Sequence, residues 1–139
     1  MMDNLLIEGT KKTPTVHLKK DGQMLLKGRS IPEDPSKFFD IINSWIEEYS
    51  HHPAPVTELN IDLEYFNSGT SKAMLNMFHQ FVDLKSKGHQ LVIKWHYEAG
   101  DDDIKERGEY YSTLLDYPFE FIEIEGNEYE ESSSGDGQY

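Results

Sequence analysis

Between Leu59 and Lys87 the hydrophobic period of the chain switches from that of a strand to that of a helix. Leu59, Ile61 and Leu63 alternate with Asn60, Asp62 and Glu64, the pattern of a strand with one face buried. From Met74 onward, Met74, Leu75, Phe78, Phe81 and Val82 recur at helical spacing and form one apolar stripe. Asn67-Ser68-Gly69-Thr70-Ser71, between the two, are small, hydroxyl-bearing or turn-forming. A strand that turns into a helix here leaves backbone N–H groups unbonded at the helix start, next to the positive end of the helix dipole. Ser68, Thr70 and Ser71 are therefore either helix caps or candidate acceptors of a phosphate.

The flanking segments repeat the alternation of strand and helix. Leu5 to Glu8 is an expected short edge strand, interrupted by Gly9 and Pro14. Val16-His17-Leu18 and Met24 to Gly28 are two strands joined by the turn signal Asp21-Gly22, and Arg29 to Pro32 is expected to leave the sheet. Asp34 and Pro35 read as N-cap and first helical position, and Phe38, Phe39, Ile42, Trp45, Ile46 and Tyr49 follow at helical spacing. His51 to Pro55 ends that helix, and Gly88 is placed to end the next one. Leu91 to Tyr97 is a further strand, with Leu91, Ile93, Trp95 and Tyr97 on one face. Asp101-Asp102-Asp103 is an acidic helix start, and the helix behind it carries Ile104, Tyr111, Leu114 and Leu115. Pro118 stops it, and Phe119 to Ile122 makes a last strand. Strands linked through helices are usually parallel, and alternating rather than wholly apolar strands place the helices mainly on one face of the sheet. The expectation is a small mixed α/β sandwich with an N-terminal β-hairpin. Residues 1–125 form a single domain, and residues 126–139 form an acidic, Ser/Gly-rich tail without the apolar residues to order it.

Composition excludes several functions. A net charge of −13 on 139 residues argues against nucleic acid and against anionic membrane surfaces, both of which are bound by cations, and permits basic protein partners. Without cysteine the chain has neither a disulfide framework nor a thiolate site. The start MMDNLLIEG lacks the basic flank and apolar run of a signal peptide, and no apolar stretch is long enough to span a membrane, so a cytoplasmic protein is expected.

Catalytic signals are weak. Nucleophile-elbow, phosphate-loop, zinc-protease and dinucleotide motifs do not occur, and no cofactor is implied. His51 and His52 are adjacent in a Pro-bounded loop and do not share a face; His79 lies off its helix's apolar stripe, and His96 points away from the Trp95 face. Asp101 to Asp103 lack the spacing and turn glycine of a calcium loop and serve the helix dipole. Neither a catalytic constellation nor a metal site is expected.

At the strand-to-helix turn the residues resemble a known family. Leu63-Glu64-Tyr65-Phe66-Asn67-Ser68-Gly69-Thr70-Ser71-Lys72 is similar to the L-x-Y-[FL]-N-[TS]-S-S-x-K segment of the SiaC-type regulatory phosphoproteins. Ile7-Glu8-Gly9-Thr10 with Thr13-Pro14 resembles that family's I-x-G-T-x-x-T-P, and Gly28 to Glu33 resembles its G-x-S-x-P-E. Trp95-His96-Tyr97, the Asp101 to Asp103 loop and Pro118-Phe119 fit as well, so the resemblance runs from Ile7 to Ile122.

The resemblance implies a STAS-like fold and a partner switch of the kind run by anti-sigma-factor antagonists. In such a switch a dedicated kinase phosphorylates a hydroxyl at the helix start and a PPM-type phosphatase removes the phosphate. The unphosphorylated form binds and activates a diguanylate cyclase, raising cyclic di-GMP and promoting aggregation or biofilm formation. The family's phosphorylated threonine falls on Ser68; serine replaces threonine there, and Gly69-Thr70 replaces a Ser-Ser pair, which makes Thr70 a rival acceptor. The implied docking surface comprises Tyr65, Asn67, Ser68, Gly69, Thr70, Ser71 and Lys72, with Lys72 either a partner for the phosphate or an ordinary exposed helix lysine. Two alternatives stand beside the switch. One is a constitutive adaptor in which Ser68 is only a cap; the other is a ligand-binding domain or enzyme using the polar sheet face near His96 and Glu98.

Overall fold

Six strands pair in the order in which they occur along the chain. In the computed structural model, which describes residues 2–125, these are β1 (Leu5–Ile7), β2 (Thr15–Leu18), β3 (Gln23–Ser30), β4 (Val56–Phe66), β5 (Gln90–Glu98) and β6 (Glu120–Ile124). The expected acidic tail, residues 126–139, lies outside the described residues. β1, β2 and β3 pair antiparallel, and β3 through β6 pair parallel. Each parallel connection carries one helix: α1 (Pro35–Tyr49), α2 (Ser68–Ser86) and α3 (Asp102–Leu115). Such crossovers are right-handed in nearly all proteins, and three that step one strand in the same direction then leave all three helices on the same face.

Burial follows that rule. Val16, Leu18, Met24, Leu26, Leu59, Ile61, Leu63, Ile93 and Trp95 are buried, whereas residues between them, such as His17, Leu25, Asn60 and Lys94, are only half-buried. Buried positions align across the ladder, Leu26 opposite Ile61 and Ile61 opposite Trp95. A one-residue slip would turn every one of them to solvent, so the hydrophobic pattern itself holds the register.

Each helix starts on a side-chain cap. Asp34 accepts from the Lys37 N–H at 3.1 Å, with Pro35 at the first helical position, and Asp101 accepts from the Ile104 N–H at 3.1 Å. Asp102 and Asp103 follow in the first turn of α3, where they complement the dipole. Gly88, at φ +93°, takes the left-handed position just past the end of α2.

Some details differ from the sequence expectation. β3 does not end at Gly28, whose φ is +119°: the register shifts there because β4 bulges at Glu64, and Arg29 then pairs with Tyr65 and Ser30 with Phe66. β4 starts at Val56 rather than Leu59, because Thr57 is already buried and its hydroxyl lies 2.8 Å from the Tyr49 hydroxyl. In α3, Leu114 is 49% exposed and off the core stripe, which runs through Ile104, Gly108 and Tyr111.

Gly108 is the reason α3 can lie so close to the sheet. A Cβ built on it would stand 2.6 Å from both Cδ1 and Nε1 of Trp95. Trp95 in turn donates its indole N–H to the Ile104 carbonyl at 2.9 Å, and its ring belongs to an aromatic group with Phe66, Tyr111 and Phe119. Glycine to alanine inside a helix ordinarily stabilises by about 1 kcal/mol. Here the sign should reverse: Gly108→Ala is expected to destabilise by about 1–3 kcal/mol through overpacking, measured by urea unfolding. A stabilised variant would show that α3 does not rest on Trp95.

Candidate functional site

The turn from β4 into α2 is held by a single residue of the neighbouring strand. The Ser30 carbonyl, at the end of β3, accepts the Asn67 N–H at 3.2 Å and the Thr70 hydroxyl at 2.9 Å. Because the Thr70 proton goes to that carbonyl, the Ser30 hydroxyl is the donor in its own 2.9 Å contact with Thr70 Oγ1. Ser30 and Thr70 are both fully buried. The G-R-S-x-P segment, which the sequence places outside the sheet, thus supplies the anchor of the turn.

The cap of α2 is Asn67, whose side-chain oxygen accepts the Thr70 N–H at 3.0 Å, while its backbone oxygen accepts the Ser71 N–H at 2.9 Å. None of the three hydroxyls therefore serves as the N-cap. Thr70 is not a surface residue either: as a rival acceptor and as part of a docking surface it is corrected by its burial and by its two contacts with Ser30. Ser71 faces α3. The Tyr111 hydroxyl donates to the Ser71 carbonyl at 2.8 Å, so the Ser71 hydroxyl donates back to Tyr111 at 2.8 Å. Burial raises the Tyr111 pKa, outweighing the Ser71 bond that lowers it, so its phenol keeps its proton. Ser68, by contrast, is exposed at the first position of the helix.

The remaining expected site residues surround Ser68 unevenly. Tyr65 and Lys72 are exposed, and Asn67 and Gly69 are half-buried. A Cβ on Gly69 would lie 2.7 Å from Cγ of Pro35, so this glycine is where α2 abuts the start of α1. Sequence reasoning missed two cations at the same turn. The Arg29 guanidinium lies 5.7 Å from the centre of the Tyr65 ring, and that of Arg107 lies 4.8 Å from the centre of the Phe66 ring. The available signal was scarcity, because these are the only arginines in the chain.

The open face of the sheet, with His96, holds a structural polar network. Asn60 donates its amide to Glu58 at 3.0 Å, so its carbonyl oxygen faces His96 Nε2, 3.0 Å away, and that nitrogen carries the proton. The Asn60 hydrogen bond, with Lys94 at 3.4 Å, holds the Glu58 carboxyl below its ordinary value against the opposing effect of burial. Burial lowers the His96 pKa, and Lys94 and Lys27 add to this, while Asp62 and Glu58 oppose it. His51 and His52 are both exposed in the turn after α1, and among the described residues no three metal-ligating side chains are grouped.

Comparison with known proteins places this geometry among relatives. The profile described as "SiaC family regulatory phosphoprotein" matches residues 7–133. An uncharacterized protein of Pseudomonas aeruginosa strain UCBPP-PA14 is 26% identical over 119 residues, covering 85% of this chain and 94% of that protein. The crystal structure of apo-SiaC from Pseudomonas aeruginosa superposes with a TM-score of 0.76 at 26% identity, covering 88% of this chain and 98% of that one. SiaC bound to the diguanylate cyclase SiaD, which it activates, superposes with a TM-score of 0.78 at 25% identity, covering 86% of this chain and 99% of that one.

Two outcomes test the site's internal geometry. Thr70→Val should destabilise by about 1–3 kcal/mol in urea, since it leaves buried Ser30 groups without their partner, while Ser68→Ala should stay within about 0.5 kcal/mol. Equal effects would mean that Thr70 is not the latch. The lowered His96 pKa means that the unfolded chain takes up that proton first. Its contribution to stability is therefore complete above the unfolded value and declines as pH falls below about 6.5. His96→Gln should flatten this part of the stability–pH curve, and an unchanged slope would place the titration elsewhere.

Proposed function

Because the chain belongs to the SiaC family of regulatory phosphoproteins, we propose that it acts, without catalysis of its own, as a phosphorylation-controlled binding switch with Ser68 as acceptor and a diguanylate cyclase as target. The observation that carries the assignment is the division of labour among the three hydroxyls: Thr70 is buried on Ser30, Ser71 is engaged with Tyr111, and Ser68 is exposed. The cyclase is supported by the related SiaC, which binds SiaD as its activator. A kinase adds the phosphate and a PPM-type phosphatase removes it, both in the cytoplasm, and the domain of residues 1–125 is the unit they act on.

The switch works through charge. Unmodified Ser68 lies in a docking surface with Tyr65, Asn67, Gly69 and Lys72, where a neutral hydroxyl costs little to cover. Phosphorylation adds about −1.5 to −2 units of charge, which a partner must desolvate to dock. The fold has no need to change, since the Ser30–Thr70 latch and the Asn67 cap do not involve the Ser68 side chain.

Binding to the diguanylate cyclase of the native host, measured by calorimetry, should be kept by Ser68→Ala and weakened about tenfold or more by Ser68→Asp, equivalent to about 1.4 kcal/mol. Tandem mass spectrometry of the native protein should map one phosphate to Ser68. Equal affinity of the two variants, or a phosphate confined to another residue, would refute the assignment.

A further inference from the structure

Both arginines of this acidic chain lie on consecutive aromatic residues just before the Asn67 turn, but on opposite sides of β4. Tyr65 and Phe66 alternate across the sheet, so Arg29 covers exposed Tyr65 while Arg107 reaches buried Phe66 from α3. Arg107 is also the better fixed. Its Nη1 donates to the Phe66 carbonyl at 3.0 Å, two residues before Ser68, and its Nε faces Asp103 at 3.3 Å. It shares a surface depression of about 210 Å³ with Ser71, Asp103, Glu106, Tyr110 and Tyr111. Ser71 is one helical turn beyond Ser68, so the contacts of α3 bracket Ser68 on both sides along the chain.

We propose that Arg107 holds the phosphoryl group of Ser68 within the same chain, exchanging its ion pair with Asp103 for a charge-assisted contact with the phosphate; this rests on the phosphoswitch described above. A guanidinium presents five N–H donors in a planar fork, and the Phe66 carbonyl and Asp103 engage only part of it. The Asp103 carboxylate is 74% exposed, so the pair that must open is a weak one. Lys72, one turn after Ser68, adds a mobile point charge rather than a fork. The charged groups around the turn are then Arg107, Asp103 and Glu106 from α3, Lys72 from α2, Asp34 beside the Pro35 that meets Gly69, and, on the Tyr65 side, Arg29 from β3 and Glu64 from β4. Held by Arg107, the phosphate stays against the docking surface as a fixed dianion instead of swinging clear of it.

Phosphoserine incorporated at position 68 during synthesis of the full chain, followed by phosphorus NMR across pH, tests this directly. The second ionisation of phosphoserine lies near ~6, and an adjacent guanidinium should lower it by about one unit. Arg107→Gln should return the midpoint to that of a phosphoserine peptide. Arg107→Lys should fall between, and Asp103→Asn should lower the midpoint further by removing the competing carboxylate. Should Arg107→Gln fail to fold, the exposed Asp103→Asn change still carries the test. A wild-type midpoint equal to the peptide's, an Asp103→Asn variant without effect, or a larger response to Lys72→Gln than to Arg107→Gln would each overturn the proposal. Cyclase binding by the same phosphorylated samples separates the two ideas. Release with an unshifted midpoint keeps the switch and removes Arg107, whereas retained binding refutes the switch whatever the midpoint.

Discussion

The hydroxyl pair between Ser30 and Thr70 fixes the geometry on which the turn depends. It ties the first turn of α2 to the end of β3, residues 40 apart in sequence, in a place without water. A buried hydroxyl without a partner is costly, so two that satisfy each other and share one carbonyl form a latch that is tight only in one arrangement. With Thr70 turned into the sheet, the helical rotation of about 100° per residue settles the rest. Gly69 meets α1, Ser71 meets α3, and Ser68 is left facing outward.

Around that latch the fold is a one-sided device. Three crossovers of the same hand crowd α1, α2 and α3 onto one face, where Phe66, Phe78, Trp95, Tyr111 and Phe119 pack with ring centres 5.1 to 6.2 Å apart. The other face carries a mixed row, Leu6, His17, Leu25, Asn60, Lys94 and Glu120, each the register partner of the next. With Leu6 and Glu120 exposed at its ends and Asn60 and Lys94 tied to Glu58 and His96 at its centre, that face is a wettable surface, whereas the exposed serine sits at the rim where strand meets helix.

Most of this architecture is legible in the chain because its signals are local. The 3.6-residue spacing from Phe38 to Tyr49 and the alternation from Leu91 to Tyr97 each imply an element without reference to anything distant. The strand-to-helix turn is legible in the same way, and the resemblance to the SiaC family agrees with the match over residues 7–133. What could not be read depends on remote partners. Asn67, Ser68, Thr70 and Ser71 are all chemically competent caps or acceptors, and only the contact with Ser30 decides that Asn67 caps and Thr70 is buried. Gly28 looks like the end of a strand because a glycine at positive φ reads as a break, and the parallel pairing that continues beyond it joins Arg29 to Tyr65, 36 residues away. Arg107, inside an acidic helix, reads as an ordinary surface cation until the fold lays it over Phe66.

Strand order that follows chain order also bears on how the molecule comes together. Every strand finds its neighbour already made, so the sheet can grow outward by accretion, with no need to open a gap for a latecomer. The Ser30–Thr70 latch joins β3 to the start of α2 and needs no residue of the last quarter of the chain. Tyr111 and Arg107 come from α3, later in the chain. The two walls of the turn thus come from separate parts of the chain: one that sets its shape, and one, further along, that brings it a guanidinium.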